Sequence, residues 1–418
     1  MKLKSLSDID LKGKRVLFRV AYDVPLVEKN GRLEVGDDTR IQTSIKTLRY
    51  LLARRCKIII LTWLGRPGGI VDTKYSLEPV ARRLHEIIKK EVTLLDGVSG
   101  PEVARRISEM KAKDIVMLEN VRFSPQEEHH EDALAQEVAG YADCVVFDAF
   151  AQSHRDYPST TGILSRLPSV CGYDMAEEMN ALQPLLAKPA YPFVVVLGGA
   201  KISDKIDLIQ NLLPKADVVL IGGALAHNFL KARGIKIAAS LVEGQSLELK
   251  REQKKLFAVA EDIMHSVSDT YVNLGPGLSI PKLVLPIDLV ACSKVSSETR
   301  TKIIDLEGRT TLPWNWTYMD IGPQTAALYS SIIKKAKLIF WNGPLGYTEK
   351  REFAAGTLEV AKAIAGSKAR SIVGGGDTEG FLREYRLKKS FSYVSTGGGA
   401  VLEFLSGREL PVLKYLKK

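Results

Sequence analysis

The sequence predicts an α/β protein of two open parallel-sheet, Rossmann-like domains facing each other across a cleft. Three observations predict it. The chain has 418 residues, beyond the size at which a single core usually stops growing. Short apolar runs alternate with amphipathic segments, the pattern of a parallel sheet covered by helices. Four apolar runs in the second half each end in glycines, as strands do where an open sheet meets a ligand.

The first half supplies the alternation. Lys14–Val20 reads as a strand whose usable length ends at Pro25, and Arg40, Ile41, Ile45, Leu48 and Leu52 fall on the faces of an amphipathic helix. Lys57–Leu61 is the next strand, with Gly65-Arg66-Pro67-Gly68-Gly69 as a loop at its far end. Then come a helix over 78–90, a strand over 115–118, the loop Glu119-Asn120-Val121-Arg122-Phe123, a helix over 132–141 and a strand over 144–147. A helix over 175–186 followed by Pro189 and Pro192 marks the join between domains.

The second half is organised around Val194-Val195-Val196-Leu197-Gly198-Gly199-Ala200-Lys201-Ile202-Ser203-Asp204-Lys205. A buried strand runs into a glycine turn, and the helix after it is expected to start with Lys201 and Lys205 on one face. Like charges at that spacing, near the positive end of a helix dipole, repel unless an anion joins them. The pair reads either as a phosphate site or as an ordinary solvated helix face. Val218–Ile221 before Gly222-Gly223, Ile339–Trp341 before Asn342-Gly343-Pro344, and Ser371–Val373 before Gly374-Gly375-Gly376-Asp377-Thr378 repeat the grammar. None is a P-loop, and no G-x-G-x-x-G is present. Residues 266–286 and 310–319 follow no clear period, and Trp314 and Trp316 are expected to fill a core or line a pocket. A last glycine run, 397–399, precedes a helix, and the apolar tail after Glu409 is expected to dock on the first domain.

Composition narrows the partners. A net charge of +10 favours anions without saying whether they are nucleic acid, acidic lipid or phosphorylated metabolites. Cys56, Cys144, Cys171 and Cys292 lie far apart with no zinc spacing, as buried thiols of a cytoplasmic protein do. No apolar run is long enough to span a membrane, and the N-terminus lacks a signal-peptide core.

Charge placement says more than its total. Arg40 opens a helix, while Arg66, Arg122 and Arg155 lie just past strands and Arg19 sits in or at the end of one. They can converge on one crevice and grip phosphate or carboxylate oxygens, or each can be a rim ion pair. His154 suits either a phosphate or a loop carbonyl. A basic crevice facing glycine turns and lysines implies phosphoryl transfer, which needs positive charge and in-line placement more than a base. Asp377 is the candidate ligand for Mg²⁺ beside nucleotide phosphates.

These residues resemble the phosphoglycerate kinase family along nearly the whole chain. The resemblance rests on Arg19-Val20 with Val24-Pro25, Leu64-Gly65-Arg66-Pro67, residues 119–123, Asp148-Ala149-Phe150, His154-Arg155 and Leu197-Gly198-Gly199-Ala200-Lys201 with Lys205. It continues through Asp320-Ile321-Gly322-Pro323-Gln324-Thr325, Trp341-Asn342-Gly343-Pro344 with Glu349, residues 374–378 and Ser395-Thr396-Gly397-Gly398-Gly399-Ala400. It implies reversible transfer of the acyl phosphate of 1,3-bisphosphoglycerate to Mg-ADP, in the cytoplasm, by a monomer that closes by hinge bending. It also implies a glycerate domain of residues 1–172 with about 400–418, an interdomain helix in 173–190 and a nucleotide domain of 191–399. Ala21, Tyr22, Asp23, Arg40, Trp63, Leu64, Gly65, Arg66, Arg122, His154 and Arg155 would hold the glycerate. Gly198, Gly199, Lys201, Lys205, Gly222, Gly223, Asn342, Pro344, Glu349, Gly375, Gly376, Asp377 and Thr378 would hold the nucleotide, with Lys201, Arg40 and Gly376 at the transferring group.

The departures from the family pattern cluster on the glycerate side. Where the family reads Arg-Val-Asp-Phe-Asn-Val-Pro, this chain has Ala21 and Asp23; where it reads Ser-His-Leu-Gly-Arg-Pro, this chain has Thr62 and Trp63. Phe-Gly-Thr-Ala-His-Arg becomes Phe150-Ala151-Gln152-Ser153-His154-Arg155. Two other functions fit the residues: a kinase for another small phosphorylated acid, and a non-catalytic nucleotide-binding regulator that meets RNA. No aromatic–basic interleaving favours the regulator.

Overall fold

The computed structural model describes residues 1–242, 250–293, 300–308 and 312–418. They form two compact units, Met1–Asn180 with Glu409–Lys418, and Ala181–Arg408.

The first unit is built on six parallel strands: β1 (Arg15–Val20), β2 (Lys57–Leu61), β3 (Thr93–Leu94), β4 (Ile115–Met117), β5 (Cys144–Asp148) and β6 (Ser169–Cys171). Their spatial order is β3-β4-β2-β1-β5-β6. The middle strands are buried on both faces, which is why they read as unbroken apolar runs. The helix Thr39–Ala53 buries Ile41, Ile45, Leu48 and Leu51, the stripe its spacing predicts. The chain leaves β1 toward β2, then crosses back to β5 on the other side, so the strand order reverses between β1 and β5. Crevices in open sheets form at such a reversal.

The C-terminal tail completes this unit. Leu410, Val412, Leu413 and Leu416 are buried, the Lys4 N–H donates to Leu416 O at 2.8 Å, and the Lys418 N–H donates to Lys2 O at 3.0 Å.

The second unit repeats the plan with β7 (Phe193–Leu197), β8 (Val218–Ile221), β9 (Leu283–Val284), β10 (Leu338–Asn342), β11 (Arg370–Gly374) and β12 (Tyr393–Val394). The order β9-β8-β7-β10-β11-β12 reverses between β7 and β10. The four glycine-marked strands are therefore neighbours in one sheet. The helix Gly399–Leu405 stays with this unit, where the Asn211 amide donates to Leu405 O at 2.6 Å, and the chain leaves it only after Arg408.

Two expectations are corrected. Lys201 and Lys205 do not open a helix: the chain turns through 201–205 and the helix begins at Ile206, with Lys201 exposed and Lys205 buried. The glycine turn carries the backbone across to Pro344 before a helix can start. Trp314 fills neither core nor pocket, being 86% exposed, and Trp316 is half-buried. The aperiodic stretch 266–286 is a hairpin, Tyr271–Asn273 with Ser279–Pro281, followed by β9. Its strands are too short to show a period. Part of 310–319, residues 310 and 311, lies outside the described residues.

The four cysteines are buried as expected and form no disulfide, and burial pushes the thiols of Cys144 and Cys171 up to about 12.

Truncating Leu416 to Ala leaves a hole where the tail meets the first unit, so the unfolding free energy is expected to fall by about 2–5 kcal/mol. Urea denaturation followed by fluorescence measures it, and an unchanged midpoint would show that the tail adds nothing.

Candidate functional site

In the second unit the site grows from the strand reversal. The Gly198 N–H donates to Asn342 O at 3.0 Å, the Gly199 N–H to Pro344 O at 2.7 Å, and the Gly223 N–H to Leu345 O at 2.9 Å. The turns after β7, β8 and β10 thus interlock backbone to backbone. Glycine is required there for two reasons. A Cβ at Gly198 would fall on the Pro344 carbonyl, and Gly343 has a φ of 87° with Gly198 O directly behind it. The fourth turn joins through side chains: Thr378 Oγ1 accepts the Gly343 N–H at 2.8 Å, and the Asn342 amide donates to Gly374 O at 2.8 Å.

A cavity of about 270 Å³ opens among these turns. Glu349 and Asp377 line it as exposed carboxylates, and Asp377 stands in the first turn of the helix Gly376–Glu384. Free N–H groups of that turn can take an anion. Lys205 Nζ lies close against Gly199, 3.1 Å from where its Cβ would stand. No cluster of three or more His, Cys, Asp or Glu that could hold a metal occurs among the described residues. A divalent ion beside Asp377 would take its other ligands from phosphate and water, the habit of Mg²⁺.

Several lining residues carried no functional reading in the sequence, His227, Tyr318 and Asp320 among them. Asp320 accepts N–H bonds from Ile321 at 2.9 Å and Gly356 at 2.8 Å, yet burial pushes its carboxyl up to about 7. The buried His227 sits on the helix Gly223–Ala232, where every residue from Leu225 to Leu230 is buried.

In the first unit the predicted residues leave the carboxyl ends of β1, β2, β4 and β5. Asp23 stands in a chain of bonds that joins the first three of these segments. Arg40 Nη1 donates to Asp23 O at 2.7 Å, Asp23 Oδ1 accepts the Gly65 N–H at 3.0 Å, and Arg122 Nη1 donates to Gly65 O at 2.6 Å. Trp63 and Leu64 are buried beneath this chain of bonds, and the Leu64 N–H is held by Asn120 Oδ1 at 3.2 Å. The Arg122 guanidinium lies 4.3 Å above the Trp63 ring. Arg66 and Arg155 are exposed, Arg40 and His154 half-buried. Tyr22 turns inward: it is fully buried with its hydroxyl 2.6 Å from Ser44 Oγ. Ala21 is buried beside it.

Arg19 corrects an expectation. It does not line a crevice but lies fully buried, donating to Val20 O, to Ser159 O and to Gln152 Oε1. Its position within β1, with the side chain turned into the layer beneath the loops, removes it from solvent.

The sequence model of phosphoglycerate kinase matches residues 6–408, across both units. The chain belongs to the phosphoglycerate kinase family. It is 42% identical over 416 residues to the phosphoglycerate kinase of Rubrobacter xylanophilus, covering 100% of this chain and 98% of that one. The enzyme of Pseudothermotoga lettingae is 41% identical over 416 residues, with coverage of 100% and 99%. Among solved structures, phosphoglycerate kinase from Coxiella burnetii superposes with a TM-score of 0.83 at 34% identity, covering 99% of this chain and 98% of that one. The Pyrococcus horikoshii enzyme gives 0.81 at 32% identity, with the same coverage. Family membership therefore rests on whole-chain similarity, and the two-sheet plan is shared with solved phosphoglycerate kinases.

A carboxyl whose folded pKa lies above its unfolded value binds more protons in the folded state. Asp320 therefore stabilises the fold most below about pH 4, and that contribution is lost as the pH rises toward about 7. Asp320→Asn is expected to flatten the fall in stability across this window by up to about 1.4 kcal/mol per pH unit. Urea denaturation of both proteins at several pH values tests this, and parallel profiles would contradict it.

Proposed function

We propose that the protein transfers the acyl phosphate of 1,3-bisphosphoglycerate to Mg-ADP, giving 3-phosphoglycerate and ATP, and runs the reaction in reverse. One observation carries the reading. In each unit the residues that match the family motifs leave the carboxyl ends of strands around the point where strand order reverses.

On this reading the first unit takes the glycerate. Arg40, Arg66, Arg122 and Arg155 with His154 supply positive charge for its phosphate and carboxylate, while Ala21, Tyr22, Asp23, Trp63, Leu64 and Gly65 form the floor. The second unit takes the nucleotide. Gly198, Gly199, Gly222, Gly223, Asn342 and Pro344 let its backbone approach, Glu349 meets the ribose, and Lys205 with Gly375 and Thr378 lies at the phosphates. Lys201 follows the transferring phosphoryl group, with Arg40 and the Gly376 N–H on its other oxygens. Asp377 would hold, from the protein side, the Mg²⁺ of the Mg-nucleotide substrate, and the ion would spread the phosphate charge. The acceptor is already a carboxylate or a phosphate, so no residue has to remove a proton. The chain works as a cytoplasmic monomer whose domains close by hinge bending.

A kinase for a different phosphorylated acid is the second reading. Ala21 brings no carboxylate to a hydroxyl of the substrate, and Asp23 spends one oxygen on Gly65.

Lys201 acts in the transition state more than in the ground state. Lys201→Ala is therefore expected to lower kcat by about 10²–10³-fold or more, with a much smaller change in the Kd for ADP. Steady-state kinetics with 3-phosphoglycerate and ATP, alongside calorimetry, measure both. Near-normal turnover in the variant would remove Lys201 from the chemistry. Saturation by a different phosphorylated acid, with none by 3-phosphoglycerate, would favour the second reading.

A further inference from the structure

The cavity of the second unit carries a feature that bears on which base it admits. His227 lines it and is 4% exposed. Its Nδ1 lies 2.8 Å from the carbonyl oxygen of Leu241. A carbonyl only accepts, so Nδ1 carries the ring hydrogen. Burial pushes the imidazole down to about 4, which keeps it neutral near pH 7. Nε2 is then a bare acceptor, the one ring nitrogen left to meet a molecule in the cavity. The ring is also held in place, packed on Tyr318 with centroids 5.9 Å apart.

The rest of the lining sharpens the preference. Leu289, Tyr318 and Leu345 offer apolar surface to a flat ring. Among the described lining residues there is no Lys, Arg, Asn or Gln side chain, and the hydroxyls of Thr317, Tyr318 and Tyr347 are the neutral side-chain donors. The ionisable groups other than tyrosine hydroxyls are His227 and the carboxyls of Asp320, Glu349 and Asp377.

We propose that His227 is a base-selecting residue: its Nε2 accepts a hydrogen bond from an exocyclic amine, so the site prefers adenine to a 6-oxo purine. The inference rests on the nucleotide reading given above. An amine at position 6 donates to the imidazole. A carbonyl there sets lone pair against lone pair and leaves a buried acceptor unmatched, and unmatched polar groups discriminate more strongly than lost apolar contact.

The test is calorimetric titration of the full-length protein with ADP and with inosine diphosphate, which carries a 6-oxo group in place of the amine. The expected result is ADP binding tighter by about tenfold. His227→Phe keeps a ring of similar size and removes Nε2, so the ratio is expected to collapse toward one, chiefly through weaker ADP binding. Equal affinities in the wild-type protein, or an unchanged ratio in His227→Phe, would overturn the assignment. The wild-type ratio decides by itself should the variant not fold. Failure to bind either diphosphate would remove the nucleotide reading as well, whereas equal binding of both would leave that reading standing and remove only the role of His227.

Discussion

A buried guanidinium is the constraint on which the loops of the first unit depend. Arg19 donates to Val20 O at 2.6 Å, to Ser159 O at 2.8 Å and to Gln152 Oε1 at 2.5 Å, and its head stands 4.6 Å from the Trp63 ring centre. The end of β1 and the segments after β2 and β5 therefore meet on one cation. Burying it is costly without a partner of opposite charge. Glu127 supplies one through Ser159, whose Oγ and N–H donate to the two carboxylate oxygens at 2.5 and 3.0 Å. Burial pushes Arg19 down to about 9 and Glu127 upward, while their mutual attraction opposes both shifts.

That arrangement gives the departures from the family pattern a common physical setting. Trp63 and Gln152 both touch Arg19, one with its ring face and one with its amide oxygen. Trp63 also receives Arg122 at 4.3 Å, so one indole lies against two guanidiniums. Asp23 uses its backbone for Arg40 and its side chain for Gly65. Three of the changed residues, Asp23, Trp63 and Gln152, therefore contact arginines directly. The second unit reaches its geometry differently: glycines at the reversal let three turns bond backbone to backbone and leave room for a ligand, and the side chains of Thr378 and Asn342 tie in the fourth.

Much of this was legible in the sequence. Central strands such as Cys144–Asp148 and Phe193–Leu197 are buried on both faces, so an apolar run marked each of them. Glycine turns were legible because a missing Cβ is a statement about space. Direction was not. Arg19 and Arg66 are both arginines near strand ends, yet one is fully buried and the other exposed, and only packing separates them. Lys201 and Lys205 looked like a helix face because spacing suggests a period, while the preceding turn delays the helix to Ile206. His227 was hidden because a helix residue that faces a cavity looks like one that faces a core. Trp314 was hidden for the opposite reason, since a large aromatic residue normally signals burial.

The central claim is that the altered arginine network still serves acyl-phosphate transfer. It is tested most directly by following ATP formation by the pure protein from freshly generated 1,3-bisphosphoglycerate and ADP with Mg²⁺, scanned over acyl-phosphate concentration. Saturating ATP formation at micromolar to millimolar acyl phosphate is the predicted result. Binding of ADP with no ATP formed at any concentration would contradict the account.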